Sequence, residues 1–248
     1  MPRNARKKSG TGIYHIVIRG INRQEIFLDD EDKEIFFDRL QKYKTECGFE
    51  VFAYCFMSNH VHLLIKEGIT GTSEIMKKLE SSYVFWFNLK YNRVGALFQD
   101  RYKSEAVEND AYLLTAVRYI HQNPVKVGLH INDWTSYQDY LSGRGITNTK
   151  PILEMFGEDE GKARKAFAEY MQEKSDRICI DYENPKRLSD DEAKKIILKI
   201  AGISYCQELQ SFDRTNRALA LRRIKEKGIS IRQLERLTGL NRGVILKA

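Results

Sequence analysis

Apolar and polar positions alternate with a period of two along residues 14–19 (Tyr-His-Ile-Val-Ile-Arg). That pattern predicts a strand, closed by a turn at Gly20-Ile-Asn-Arg. The period then lengthens: over 30–47, Ile35, Phe36, Leu40 and Tyr43 fall on one helical stripe, with acids in the first turn and Gly48 as the stop. Residues 49–57 and 60–66 read as two further strands joined at Ser58-Asn59, a hairpin. A long helix follows over 72–91 on Ile75, Leu79, Val84, Phe87 and Tyr91, then an extended segment over 98–107. Asp110 is a candidate N-cap for a helix reaching Gln122, where Asn123-Pro124 ends it. The order β-α-β-β-α-β-α predicts an α+β class: a ferredoxin-like antiparallel sheet with helices on one face.

Beyond Tyr140 the pattern changes. Residues 141–151 are polar and Gly-bearing, so a linker is expected at 143–150, dividing a domain of residues 1–142 from an all-helical region at 151–248. Amphipathic stretches at 152–155, 163–174, 190–201, 215–227 and 230–247 make up that region.

Composition narrows the class. The chain has 248 residues, of which 42% are hydrophobic and 11% aromatic, enough to bury a sizeable core and to exclude wholesale disorder. No apolar run approaches membrane-spanning length and the first residues carry no secretory pattern, so a cytoplasmic protein without membrane contact is expected. The four cysteines form no CxxC pair, which excludes a disulfide framework and a zinc knuckle. Charge is unevenly placed: residues 1–24 carry +6 and residues 214–248 carry +8, so the whole-chain value of +7 leaves −7 for residues 25–213. Two basic ends around an acidic middle are the footprint of a phosphate-backbone binder.

Two constellations carry chemistry. His60 and His62 lie two apart on a predicted strand, so both imidazoles project from one face and can share a metal ion, or hydrogen-bond within a polar patch. Tyr119 and Asn123 lie four apart on a predicted helix, so a phenol and a carboxamide share a face. Two imidazole nitrogens and an amide oxygen, with positions left for phosphate and water, suit Mg2+ or Mn2+ acting as a Lewis acid beside a nucleophilic phenol. Tyr102 and Tyr112 are reserve nucleophiles, and His15 and His121 are left outside the metal site. Arg19, Arg23, Arg101 and Lys103 are candidate phosphate contacts.

Five ordered blocks carry a resemblance. They are residues 14–23 (Tyr-His-Ile-Val-Ile-Arg-Gly-Ile-Asn-Arg), 56–65 (Phe-Met-Ser-Asn-His-Val-His-Leu-Leu-Ile), 98–102 (Phe-Gln-Asp-Arg-Tyr), 119–129 (from Tyr119 through Asn123-Pro124 to Gly128-Leu129) and 133–137 (Asp-Trp-Thr-Ser-Tyr). Together they resemble the REP-associated tyrosine transposases, a group of the HUH single-strand endonucleases related to small insertion-sequence transposases. The resemblance covers about residues 10–142. It implies that His60, His62 and Asn123 hold one divalent metal. It further implies that Tyr119 cuts single-stranded, hairpin-containing DNA, leaving a 5′-phosphotyrosine and a free 3′-OH. Many relatives of the insertion-sequence branch carry Gln at the position of Asn123. Relatives in that branch are dimers and the repeat-associated group looks monomeric, so monomer and homodimer both stay open; a bacterial, nucleoid-associated location is implied.

The C-terminal segment reads as helix, turn, helix. Ser230 caps a short helix with Ile231, Leu234 and Leu237 inward, Gly239 turns the chain, and Asn241 caps a second helix whose Val244 and Ile245 pack back. Arg232, Arg242 and Lys247 are then available to DNA. The segment is similar to the duplex-binding helix-turn-helix of Trp-repressor-like and replication-initiator-like proteins. Two rivals stand beside the transposase: a catalytically retired regulator that binds or bridges repeats through this segment, and a metal-dependent hydrolase without a covalent step.

Overall fold

The computed structural model describes residues 7–173, 179 and 188–247. They fall into two compact units, one within Met1–Tyr182 and one within Glu183–Ala248. Arg3 and Arg6, two of the basic residues in 1–24, and Lys174, the last residue of the 163–174 stretch, lie outside the described residues.

In the first unit, β1 (Ile13–Arg19), β2 (Glu50–Met57), β3 (His60–Lys66) and β4 (Lys103–Ala106) form one sheet in the order β2-β3-β1-β4. The pairings β2–β3, β3–β1 and β1–β4 are all antiparallel, which is the ferredoxin-like arrangement. Fourth-strand pairing begins only at Lys103; Phe98 makes an isolated bridge to Gly20. Gly20 has no room for a side chain, because a Cβ there would stand 2.2 Å from the Gln24 carbonyl oxygen.

Alternation along the strands separates two cores. Tyr14, Ile16, Ile18, Tyr54, Phe56, Val61, Leu63 and Ile65 face α1 (Asp30–Cys47) and α2 (Thr72–Lys90). The N-terminus of α1 is tied to the end of α2 through the fully buried Asp32. Its carboxylate accepts the Leu28 N–H at 2.6 Å, the Lys90 ammonium at 2.9 Å and the Tyr91 hydroxyl at 3.0 Å.

The opposite face is also covered, which corrects the expectation of helices on one face only. Phe52, Ala53, Cys55, Met57 and Leu64 pack against α3 (Asp110–His121), whose N-cap is Asn109 rather than Asp110. The chain continues through α4 (Asn123–Lys126), α5 (Tyr137–Ser142), α6 (Lys150–Leu153) and α7 (Glu160–Gln172). Tyr140, Ile152, Leu153, Phe167 and Met171 complete this second core, with the Tyr140 and Phe167 rings stacked at 4.3 Å. Residues 143–150 are therefore no boundary: the Asn148 N–H donates to the Val51 carbonyl and the Thr147 N–H to Asp139. The helices that follow serve the sheet, because its second face is too apolar to be left to water.

The second unit contains α8 (Asp190–Ala201), α9 (Arg214–Glu226), α10 (Ile231–Thr238) and α11 (Arg242–Lys247) around Ile197, Leu209, Leu221, Ile224, Leu234 and Ile245. Ser230 Oγ accepts the Gln233 N–H, Gly239 ends α10 at φ 70°, and Asn241 Oδ1 accepts the Gly243 N–H. Val244, expected inside with Ile245, is exposed. Arg232, Arg242 and Lys247 are exposed. No helix among the described residues is long and apolar enough to cross a membrane.

Candidate active site

The hairpin turn at 58–59 sets the register that places His60 opposite Met57 and Arg19, and His62 opposite Cys55 and Val17. Both imidazoles thereby share the face covered by α3. α3 is pinned there by Leu113, Ala116, Val117 and Ile120, all buried, and this seating brings Tyr119 over the strand pair. The His60 and His62 rings lie 4.9 Å apart and nearly perpendicular. The Tyr119 ring is 5.7 Å from His62 and 6.0 Å from His15, edge-on to both.

Each of the two histidines has its Nδ1 engaged. His60 Nδ1 is 2.7 Å from Asn59 Oδ1, while the Asn59 amide nitrogen donates to the Arg23 carbonyl at 3.3 Å. His62 Nδ1 is 3.1 Å from His15 Nε2, and both rings are fully buried. His62 Nε2 is buried with no hydrogen-bond partner. Burial pushes the His62 pKa well below the ordinary imidazole value, and the neighbouring His60 and His15 rings and the Lys126 and Arg19 cations disfavour a further positive charge there. His62 is thus a neutral ring at physiological pH.

The Lys126 ammonium sits 3.5 Å from the centre of the Tyr119 ring. Asn123 is buried one turn beyond Tyr119, and its amide nitrogen donates to the Tyr119 carbonyl at 2.9 Å. The carboxamide therefore closes the end of α3, and Oδ1 is the end left to serve as an oxygen ligand.

Among the described residues, no group of three or more His, Cys, Asp and Glu side chains is set to hold a metal ion. Two imidazoles on one face nevertheless suit a divalent ion whose remaining positions are filled by oxygen. The buried, unpartnered Nε2 of His62 is the observation that favours it.

The remaining candidates separate. Arg19 ends β1 beside His60, and Lys103 on β4 stands across from Val17, so both belong to this face of the sheet. Arg23 and Arg101 are exposed in the turns at 20–23 and 99–102. Tyr102 is buried in the core on the other face, with its hydroxyl 3.2 Å from Ser73 Oγ. The Tyr112 hydroxyl donates to Glu105, and burial followed by that bond pushes its pKa far up. Neither tyrosine joins the histidines. His121 turns into the second core, where its Nε2 meets Ser136 Oγ at 2.7 Å.

Sequence reasoning missed three residues of the site: His15, Asn59 and Lys126. His15 carried a signal, since an imidazole on the same strand face as Arg19 and next to a His-x-His strand is a polar group in an otherwise apolar layer. For Lys126 the signal was its spacing, seven residues after Tyr119, which returns to the same side of a continuing helix.

Residues 9–123 match the family model described as "Transposase IS200 like". Solved structures similar to the chain include a REP-associated tyrosine transposase bound to a REP hairpin, at 21% identity and a TM-score of 0.49, covering 60% of this chain and 90% of that one. Another is a protein from Deinococcus radiodurans R1 described as a transposase, at 17% identity and a TM-score of 0.35, covering 52% of this chain and 99% of that one. No curated protein matches the chain.

Proposed function

We propose, because residues 9–123 belong to the IS200-like transposase family, that this chain cuts and rejoins single-stranded DNA through Tyr119. The observation that carries the reading is the convergence of His60, His62 and Tyr119 on one sheet face, with ring separations of 4.9 and 5.7 Å. The Tyr119 oxygen attacks phosphorus, a P–O bond to tyrosine forms and the bond to the 3′ oxygen breaks. The phenolic proton is lost to solvent and the departing 3′ oxygen takes one up, leaving a 5′-phosphotyrosine and a free 3′-OH. The reverse attack by a 3′-OH rejoins a strand. His60, His62 and Asn123 would hold Mg2+ or Mn2+, whose charge withdraws electron density from the scissile phosphate and so lowers the demand on a phenol of high intrinsic pKa. Lys126 places positive charge against the ring that becomes an anionic leaving group in the reverse step, and Arg19 and Lys103 offer charge to the neighbouring phosphates.

The substrate is a hairpin-containing single strand, and the protein acts in the cytoplasm at the nucleoid. The solved relative bound to a REP hairpin suggests the class of DNA to try first. In the second unit, α10 and α11 would act as a helix-turn-helix on duplex DNA, presenting Arg232, Arg242 and Lys247 from capped helices.

The test is incubation with a labelled hairpin oligonucleotide library and Mn2+, resolved on a denaturing gel. A protein-linked band that Tyr119→Phe and His60→Ala both abolish is the expected result. Cleavage that persists in Tyr119→Phe would replace the phenol by a metal-activated water. Tight duplex binding with no cleavage at all would favour a retired regulator.

A further inference from the structure

The two histidines of the site are each held by a partner at Nδ1, and the partners come from different places in the fold. His15 projects from β1 and lies diagonally from His62, with the nitrogens 3.1 Å apart and the rings 5.3 Å apart. Asn59 comes from the hairpin turn, with its oxygen 2.7 Å from His60 Nδ1. The Asn59 amide nitrogen donates to the Arg23 carbonyl, which fixes the side chain with Oδ1 toward His60.

A neutral imidazole carries one N–H, so these contacts decide where a lone pair is left. An amide oxygen only accepts, so His60 must carry its proton on Nδ1 and keep the lone pair on Nε2. The His15–His62 pair has two proton arrangements. If His15 Nε2–H donates, the proton of His62 sits on its Nε2 and the ring cannot bind a cation there. If His62 Nδ1–H donates to His15 Nε2, the His62 Nε2 lone pair is presented, and this is the atom buried without a hydrogen-bond partner.

We propose that His15 and Asn59 are positioning residues that accept the Nδ1–H of His62 and His60, so that both rings present an Nε2 lone pair to one divalent cation. The inference rests on the metal-site reading above and adds to it the proton placement that makes the site competent before any metal arrives. It also accounts for an imidazole on β1 that the cleavage chemistry itself does not use.

Two measurements on the full chain test it. Nitrogen-15 NMR of the imidazoles in metal-free protein should show Nδ1–H and a bare Nε2 for His60 and His62, the form an isolated imidazole disfavours. A His62 found as Nε2–H would overturn the proposal. Mn2+ binding, followed by the electron paramagnetic resonance of free Mn2+, should weaken about 10- to 100-fold in His15→Phe and in Asn59→Ala. The acceptor-bearing His15→Gln and Asn59→Asp should recover most of that loss. Because His15 is buried, Asn59→Ala on the hairpin turn keeps the test decisive if His15→Phe does not fold. Wild-type affinity in both acceptor-lacking variants would overturn the proposal and leave the metal site standing. A wild-type protein that binds no Mn2+ would overturn the site and this proposal together.

Discussion

His121 offers a quantitative test of how α3, which carries Tyr119, is seated. The ring lies fully buried on α3, two residues from Tyr119, against Tyr137, Tyr140 and Phe167, and burial alone pushes its pKa down to about 3. An unfolded chain would titrate the same ring near 6.5. Between these values the unfolded state binds a proton that the folded state does not, so stability rises with pH, by about 1.4 kcal/mol per unit at the centre of the window. Lowering the pH from 7.5 to 5 should remove about 2 kcal/mol through this residue. His62, buried neutral on the same sheet face, acts with the same sign and steepens the total. The variant His121→Gln removes one of the two contributions. Urea unfolding read by tryptophan fluorescence is suited to it, because the chain's only tryptophans, Trp86 and Trp134, both pack against the first core of unit one. The stability difference between pH 7.5 and pH 5 should shrink by about 2 kcal/mol in the variant, whatever its stability at neutral pH. Equal pH dependence in the two proteins would refute the buried neutral ring and the seating of α3 that follows from it.

Other outcomes follow from particular contacts. Asp32→Ala removes the acceptor of the Leu28 N–H and one of the three carboxylates around Lys90, which keeps Asp29 and Glu31, and should cost about 1–3 kcal/mol in urea unfolding. Gly20→Ala forces the Gln24 carbonyl away and should destabilise unit one by about 1–3 kcal/mol, read as a lower urea midpoint. Ser230→Ala should cost about 1 kcal/mol by removing the N-cap of α10, and weaken duplex retention in a gel-shift assay while leaving hairpin cleavage intact. Lys126→Met should slow formation and reversal of the covalent adduct about tenfold or more, without abolishing Mn2+ binding.

What the sequence made legible, and what it did not, divides by range. The strands, α1, α2 and the ends of α8 and α10 are written in local periods and caps: Ser189 and Glu192 form a reciprocal box at the head of α8, and Gly202 takes the left-handed conformation at its end. His60 and His62 were readable because a period of two fixes a shared face without knowledge of any partner. The boundary at 143–150 was misplaced because polarity and glycine mark a loop, whereas a domain limit depends on where the next apolar face is buried. Here Phe167 and Met171 return to the sheet and stack over Tyr140 and the buried side of α3. The same long-range packing put helices on both faces, although each helix taken alone is amphipathic and indifferent to which face it covers. The pairing of His15 with His62, 47 residues apart, was out of reach for the same reason: it requires the β1–β3 register, in which His15 stands against Leu64 and diagonal to His62. A shift of that register by one residue would send His15 into the α1–α2 core and leave His62 Nδ1 unmatched. Burial of apolar side chains on both sides of β1 therefore fixes the hydrogen bond on which the proposed metal site depends.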